Sequence, residues 1–247
     1  MSSEEERKEH GEFEGKSDPS APSAARVIYD YYGGEKKFSD HHLKELIAAV
    51  DKADSADFTM AEILNPQGWV LISFLMDPRT GLGRYKDYRI SNYNFMMDMF
   101  DYCRNKSVDK ILEIEDVKER VGRYFEQDRL FQKMIKANSI AKGDVVVLDL
   151  RDQEEIFTGN RFILYCHYPK QNVSIRVTWG LHKQNVVLTC GHSIINKTSK
   201  VDIGSMMLKY GGGGHKAVGT CQVPTEDADR ILGEIIQKMN ETGQALA

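Results

Sequence analysis

Residues 211–217 read Gly211-Gly212-Gly213-Gly214-His215-Lys216-Ala217. Glycine permits positive φ and leaves no Cβ in the path of a ligand. Successive amides in such a loop can point inward as a nest and hold an anion such as phosphate. His215 stands at the exit of the run, where its imidazole can donate to a phosphate oxygen, and Lys216 adds a positive charge. A flexible linker would mix glycine with serine and continue in polar sequence. A helix stop needs one glycine, not four. Gly211, Gly212, Gly213, Gly214 and His215 are therefore the first candidate substrate-binding residues.

The surroundings define the fold class. Asp202 is a suitable cap for a short helix through about Leu208, which leads into the glycines. Ala217–Val223 alternates as a strand, and Pro224-Thr225 opens a last helix carrying Ile231, Leu232, Ile235, Ile236 and Met239. Upstream, Val145–Leu150, Phe162–His167, Val173–Trp179 and Asn185–Cys190 read as strands separated by turn residues. Arg176 lies within the third of these and faces the side opposite Ile175. Its guanidinium suits bidentate contact with a phosphate. His192 and Asn196 belong to a polar turn just before the glycine helix and complete the candidate binding set.

Before Gly143 the periodicity is helical. Ala24–Tyr32 is a helix stopped by Gly33-Gly34. Leu43, Leu46, Ile47 and Val50 recur at helical spacing, and further helical patterns cover Trp69–Met76, Asn92–Cys103 and Val117–Ala137. The predicted organisation is α/β in two lobes: a polar arm over 1–23, a mostly helical lobe over 24–138 with a long connecting helix, and a mixed α/β lobe over 143–247.

Composition bounds the function. The chain has 247 residues, 41% hydrophobic and 28% charged, with a formal net charge of −4. Binding of long duplexes by bulk charge is disfavoured, because it calls for a basic surplus. No apolar run is long enough to span a membrane. The Glu-rich beginning has no apolar core, so it is not a secretory signal. Four scattered cysteines without a CxxC pair suit reduced thiols in a cytoplasmic protein.

The glycine-histidine segment, with Ser174-Ile175-Arg176 upstream and Ala217-Val218-Gly219 downstream, resembles the C-terminal substrate-binding domain of the DHH-family phosphoesterases. Ser23-Ala24-Ala25-Arg26-Val27-Ile28-Tyr29 resembles the helix that follows that family's catalytic core motif. Asp54-Ser55-Ala56-Asp57-Phe58 resembles its late aspartate motif. Asn65-Pro66 through Arg84 is most similar to the exopolyphosphatase-like members. The resemblance implies hydrolysis of phosphodiester or phosphoanhydride bonds in small phosphorylated or nucleotide substrates. It also implies manganese as cofactor, with Asp54 as a metal ligand and Asp51 or Asp57 as the register-shifted alternatives.

The family's His-x-Asp-x-Asp motif does not occur ahead of the Ser-Ala-Ala helix. Asp40-His41-His42 spells the family's second motif, but it falls after that helix and at the start of the Leu43–Val50 helix, where Ser39 or Asp40 serves as a cap. The chain therefore reads as a member that begins late, with a remnant of the catalytic lobe and an intact substrate-binding lobe. Helical faces left uncovered would favour a homodimer. The alternative reading is a non-catalytic module that holds a phosphate-bearing small molecule or short single-stranded nucleic acid.

Overall fold

The computed structural model describes residues 15–244; residues 1–14, which hold most of the predicted polar arm, and 245–247 lie outside the described residues. The chain divides into two compact units, 1–125 and 126–247. The division falls inside the long helix rather than at the predicted change of texture near 138–143.

Among the described residues the first unit is helical. Its α-helices are α1 (Ala24–Tyr31), α2 (Gly34–Lys37), α3 (His41–Asp54), α4 (Met60–Leu64), α5 (Gly68–Met76), α6 (Asn92–Asn105) and α7 (Val108–Leu112). Local chemistry sets their ends. Ser23 caps α1 by accepting from the Arg26 amide, Asp40 caps α3 by accepting from the His42 amide, and Thr59 and Glu62 form a reciprocal capping box on α4. The most apolar helix, α5, is the core element, with Leu71, Ile72, Phe74 and Leu75 buried.

Helix α8 (Glu115–Ala137) crosses the division. In its first half Arg120 is buried between the rings of Tyr88 and Phe95, at 4.2 and 4.0 Å, and its Nη2 donates to the Ile90 carbonyl at 2.9 Å.

The second unit is built on a six-stranded sheet of order β1-β2-β3-β4-β6-β5, with β1 (Ser139–Lys142), β2 (Val145–Asp149), β3 (Val173–Trp179), β4 (Val186–His192), β5 (Gly213–His215) and β6 (Val218–Val223). Among the described residues only β2 and β3 pair in parallel. A parallel pair needs a crossover, commonly helical, and this one contains α9 (Ile163–His167). The predicted strand over Phe162–His167 is thus corrected to a helix. A short, mostly apolar run has no periodicity with which to choose between the two states, and the topology chose.

Alternation along the strands separates two faces. Val145, Val147, Val173, Ile175, Val177, Val186, Leu188, Cys190, Cys221 and Val223 point inward onto α10 (Ile203–Leu208) and α11 (Ala228–Gln244), whose Ile203, Met207, Ile231, Ile235 and Met239 complete the core. The four cysteines are free thiols. No helix among the described residues is long and apolar enough to cross a membrane.

Candidate functional site

The outer face of this sheet carries the candidate residues. Tyr165 of α9 lies over it, its hydroxyl 2.8 Å from Ser174 Oγ and donating to the Gly191 carbonyl at 3.3 Å. Burial pushes the Tyr165 phenol up and keeps it neutral. Val146 and Leu148, on the same face of β2, are buried, whereas Thr189, Thr220 and His215 are exposed. The face is covered at β2 and open toward β4, β6 and β5.

Register places the residues of this face in rows. Arg176 pairs with Thr189, Thr189 with Thr220, and Thr220 with Gly213. The adjacent row runs Ser174, Gly191, Val218, His215. Directly paired residues project to the same side, so Arg176, Gly213 and His215 share one surface. This surface lies wholly within the second unit.

Arg176 is the electrostatic centre of the face. Its Nε is buried without a hydrogen-bond partner. Burial lowers its pKa from the ordinary arginine value, and no charged neighbour contributes to that shift. Among the described residues the guanidinium therefore lacks a counter-ion. A half-buried cation in this state is costly and gains by accepting an anion.

The glycine run does several jobs. Gly211 (φ +73°) ends α10 in a Schellman arrangement: its amide donates to the Leu208 carbonyl at 3.1 Å, and that of Gly212 to the Met207 carbonyl at 3.0 Å. These two amides close the helix, so the expected inward-facing nest is not formed along the whole run. Gly213 and Gly214 instead enter edge strand β5. A Cβ on Gly212 would lie 2.1 Å from the Thr220 carbonyl oxygen, and one on Gly214 2.2 Å from that of Val218. Gly213 is different: nothing lies within 4 Å of the position its Cβ would take. The fold does not require glycine there, and the bare backbone faces the open row. His215 follows it, exposed, at the end of the same strand.

His192 and Asn196 have structural partners. The His192 Nε2 donates to the Val201 carbonyl at 2.8 Å, which fixes the proton on that nitrogen. Asn196 donates to the Lys170 carbonyl at 2.7 Å and accepts from Thr198 Oγ1 at 2.7 Å. Both shape the polar loop after β4 rather than projecting unused donors. Thr189 and Thr220 were not among the predicted site residues. The signal for Thr189 was its outward position in the alternation Leu188-Thr189-Cys190.

The structure does not assemble the expected metal ligands. Asp54 is the exposed last residue of α3. Asp51, one turn earlier, is bound by Ser23 Oγ at 2.6 Å and by Arg26 Nε and Nη2 at 2.9 and 2.6 Å. Of the Asp40-His41-His42 triplet, Asp40 caps α3, His42 Nε2 donates to the Cys103 carbonyl at 2.9 Å, and His41 lies 3.5 Å from Glu45. Among the described residues no group of three His, Cys, Asp or Glu side chains could hold a metal ion. This donor set does not fit a two-manganese centre.

The two aspartates therefore differ in a measurable way. Asp51→Asn removes a charge-assisted pair between α1 and α3 and is expected to cost about 1–2 kcal/mol. Asp54→Asn, on an exposed carboxylate, is expected to stay within about 0.5 kcal/mol of the parent. Urea unfolding of the two variants checks this, and equal midpoints would refute the assignment.

The mixed α/β sheet of the second unit, with its glycine-histidine edge strand, has the fold class of a DHH-associated domain. The chain is 50% identical to PggH from Vibrio cholerae, a pGpG-specific phosphodiesterase, over 91% of this chain and 75% of that one, with a TM-score of 0.81. The chain belongs to the DHH-family phosphoesterases. A DHH domain from a member of the S1p family of ribosomal proteins matches at 12% identity over 89% of this chain and 54% of that one, with a TM-score of 0.50, a likeness of fold alone. An exopolyphosphatase-related protein from Bacteroides fragilis, at 12% identity over 62% of this chain and 46% of that one, superposes with a TM-score of 0.40, too poorly to bear on function. No family model and no curated protein matches the chain.

Proposed function

We propose that this chain is a phosphodiesterase of small linear nucleotides, with pGpG as its first candidate substrate, and that the outer face of the second unit's sheet holds the ligand. The observation that carries the reading is Arg176, a partly buried guanidinium with no counter-ion among the described residues. It faces the same side as the bare backbone of Gly213 and the exposed imidazole of His215. The similarity to PggH supports the choice of substrate.

In the proposed reaction water adds across the single 3′–5′ phosphodiester of pGpG. The P–O3′ bond breaks, O3′ leaves as a hydroxyl, the phosphate stays on the second nucleoside, and two molecules of GMP result. Arg176 neutralises ligand phosphate charge, and His215 donates to a phosphate oxygen at the sheet edge. Dependence on manganese is part of the same proposal and rests on the family resemblance, because the described residues bring no three metal-ligating side chains together. The competing reading, capture without cleavage, is favoured by the missing donor set among those residues.

The test uses the purified 247-residue chain with pGpG, polyphosphate, a short RNA, 3′-phosphoadenosine phosphate and a cyclic dinucleotide, with manganese and with a chelator. The expected result is manganese-dependent conversion of pGpG to GMP, reduced roughly 10- to 150-fold in His215→Ala, the worth of a hydrogen bond to a charged group. His215 is exposed, so its removal leaves folding intact. Binding of pGpG without turnover in any condition would replace the hydrolase reading by the capture reading. No binding of any phosphate-bearing ligand would overturn both.

A further inference from the structure

We propose that Thr189 and Thr220 form a middle subsite on the sheet face, and that this subsite makes the face select ligands carrying two phosphates over mononucleotides. The inference rests on the reading of this face as the ligand platform.

The geometry comes from strand register. Arg176, Thr189, Thr220 and Gly213 occupy four neighbouring strands in one continuous row. Strands in a sheet lie about 4.8 Å apart, so Arg176 and Gly213 are separated by roughly 14 Å across the row. One phosphate cannot occupy both ends of such a span. A mononucleotide satisfies either Arg176 or the Gly213–His215 edge. A linear dinucleotide can lie along the row with its terminal phosphate at Arg176, its internal phosphodiester over the two threonines and its second nucleoside toward the Gly213–His215 edge.

The threonines are equipped for that position. Both are exposed, and their hydroxyl oxygens are 3.4 Å apart. Thr220 Oγ1 donates to the Leu188 carbonyl at 3.1 Å. Its proton is therefore committed, and its oxygen remains an acceptor. The Thr189 hydroxyl keeps a proton that can turn from Thr220 toward a ligand oxygen. A neutral donor beside a neutral acceptor matches a ribose hydroxyl or the single charge of a bridging phosphodiester. A third cation at this place would instead hold any polyanion regardless of length.

Calorimetric titration of the full chain with GMP and with pGpG, under chelating conditions that prevent turnover, tests this. The variants are Thr189→Val, Thr220→Val and the double substitution, with Arg176→Met as reference. Valine keeps the β-branched shape and the strand preference while removing the hydroxyl. In the double variant pGpG is expected to bind about 5- to 150-fold more weakly, the combined effect of two neutral hydrogen bonds. GMP affinity is expected to stay within about twofold, and the melting temperature to remain unchanged.

Equal weakening of both ligands, or of neither, would overturn the subsite. If Arg176→Met weakens both ligands while the threonine variants bind as the parent does, only the subsite is lost and the platform stands. If the parent binds neither ligand, or Arg176→Met binds both normally, the platform falls and the subsite with it.

Discussion

Arg176→Met is expected to lose ligand affinity without losing the fold. The parent guanidinium sits partly buried in the outer face with an unpartnered Nε and no counter-ion among the described residues. In the free protein that charge is a cost, because burial disfavours it and no acidic group compensates. Methionine replaces the stem with apolar volume and removes the charge, so the ligand-free melting temperature should equal or exceed that of the parent. With ligand present the order reverses. Leaving a phosphate without its buried partner costs about 2–5 kcal/mol, roughly 30-fold to several thousandfold in affinity. In the parent, pGpG at 100 times its dissociation constant should add about 2.7 kcal/mol of stability, and in the variant less than about 1 kcal/mol at the same concentration. Thermal unfolding with and without pGpG under chelating conditions reads both halves. A variant less stable than the parent without ligand, and still stabilised by pGpG, would show that Arg176 is a structural residue.

Neighbouring glycines are expected to separate folding from binding. Gly214→Ala should be destabilised by about 3 kcal/mol or more, because the added Cβ would meet the Val218 carbonyl oxygen at 2.2 Å and the Gly219 Cα at 2.4 Å, at a φ of +155° that L-residues rarely adopt. For a unit of this size that corresponds to a melting temperature lower by roughly 10 °C or more. Gly213→Ala meets nothing within 4 Å. It should fold with a cost below about 1 kcal/mol and should weaken ligand binding, because the methyl group occupies the open row. If Gly213→Ala binds pGpG as tightly as the parent, the ligand does not approach this edge of the sheet. If Gly214→Ala melts with the parent, β5 does not pair with β6 as described.

The sequence was most informative where one residue type has one physical consequence. The alternation in Val173–Trp179 predicted a strand over its observed bounds and the projection of Arg176 to the side opposite Ile175. Asp202 was legible as the cap of the glycine helix, and its carboxylate accepts from the Ser205 amide at 3.0 Å. The similarity carried by the glycine-histidine segment predicted the family. Legibility failed where a segment's state depends on a distant partner. Phe162–His167 is a helix because it lies in a parallel crossover. Asp51 and Asp54 look alike in the chain, yet only Asp51 faces Ser23 and Arg26, 28 and 25 residues away. The four glycines look equivalent as letters. One ends a helix, two are held by close backbone contacts, and one is bare.

By itself the sequence determined the α/β character of the second unit, the helical character of the first, and which residue types could meet a phosphate. Those properties follow from periodicity, capping and side-chain chemistry, all of them local. The tertiary structure alone decided that Arg176, Thr189, Thr220 and Gly213 stand in one row and that Arg176 has no counter-ion among the described residues. Period two tells each strand which side chains share a face, but the neighbour across the gap is set by hydrogen-bond register between strands far apart in the chain.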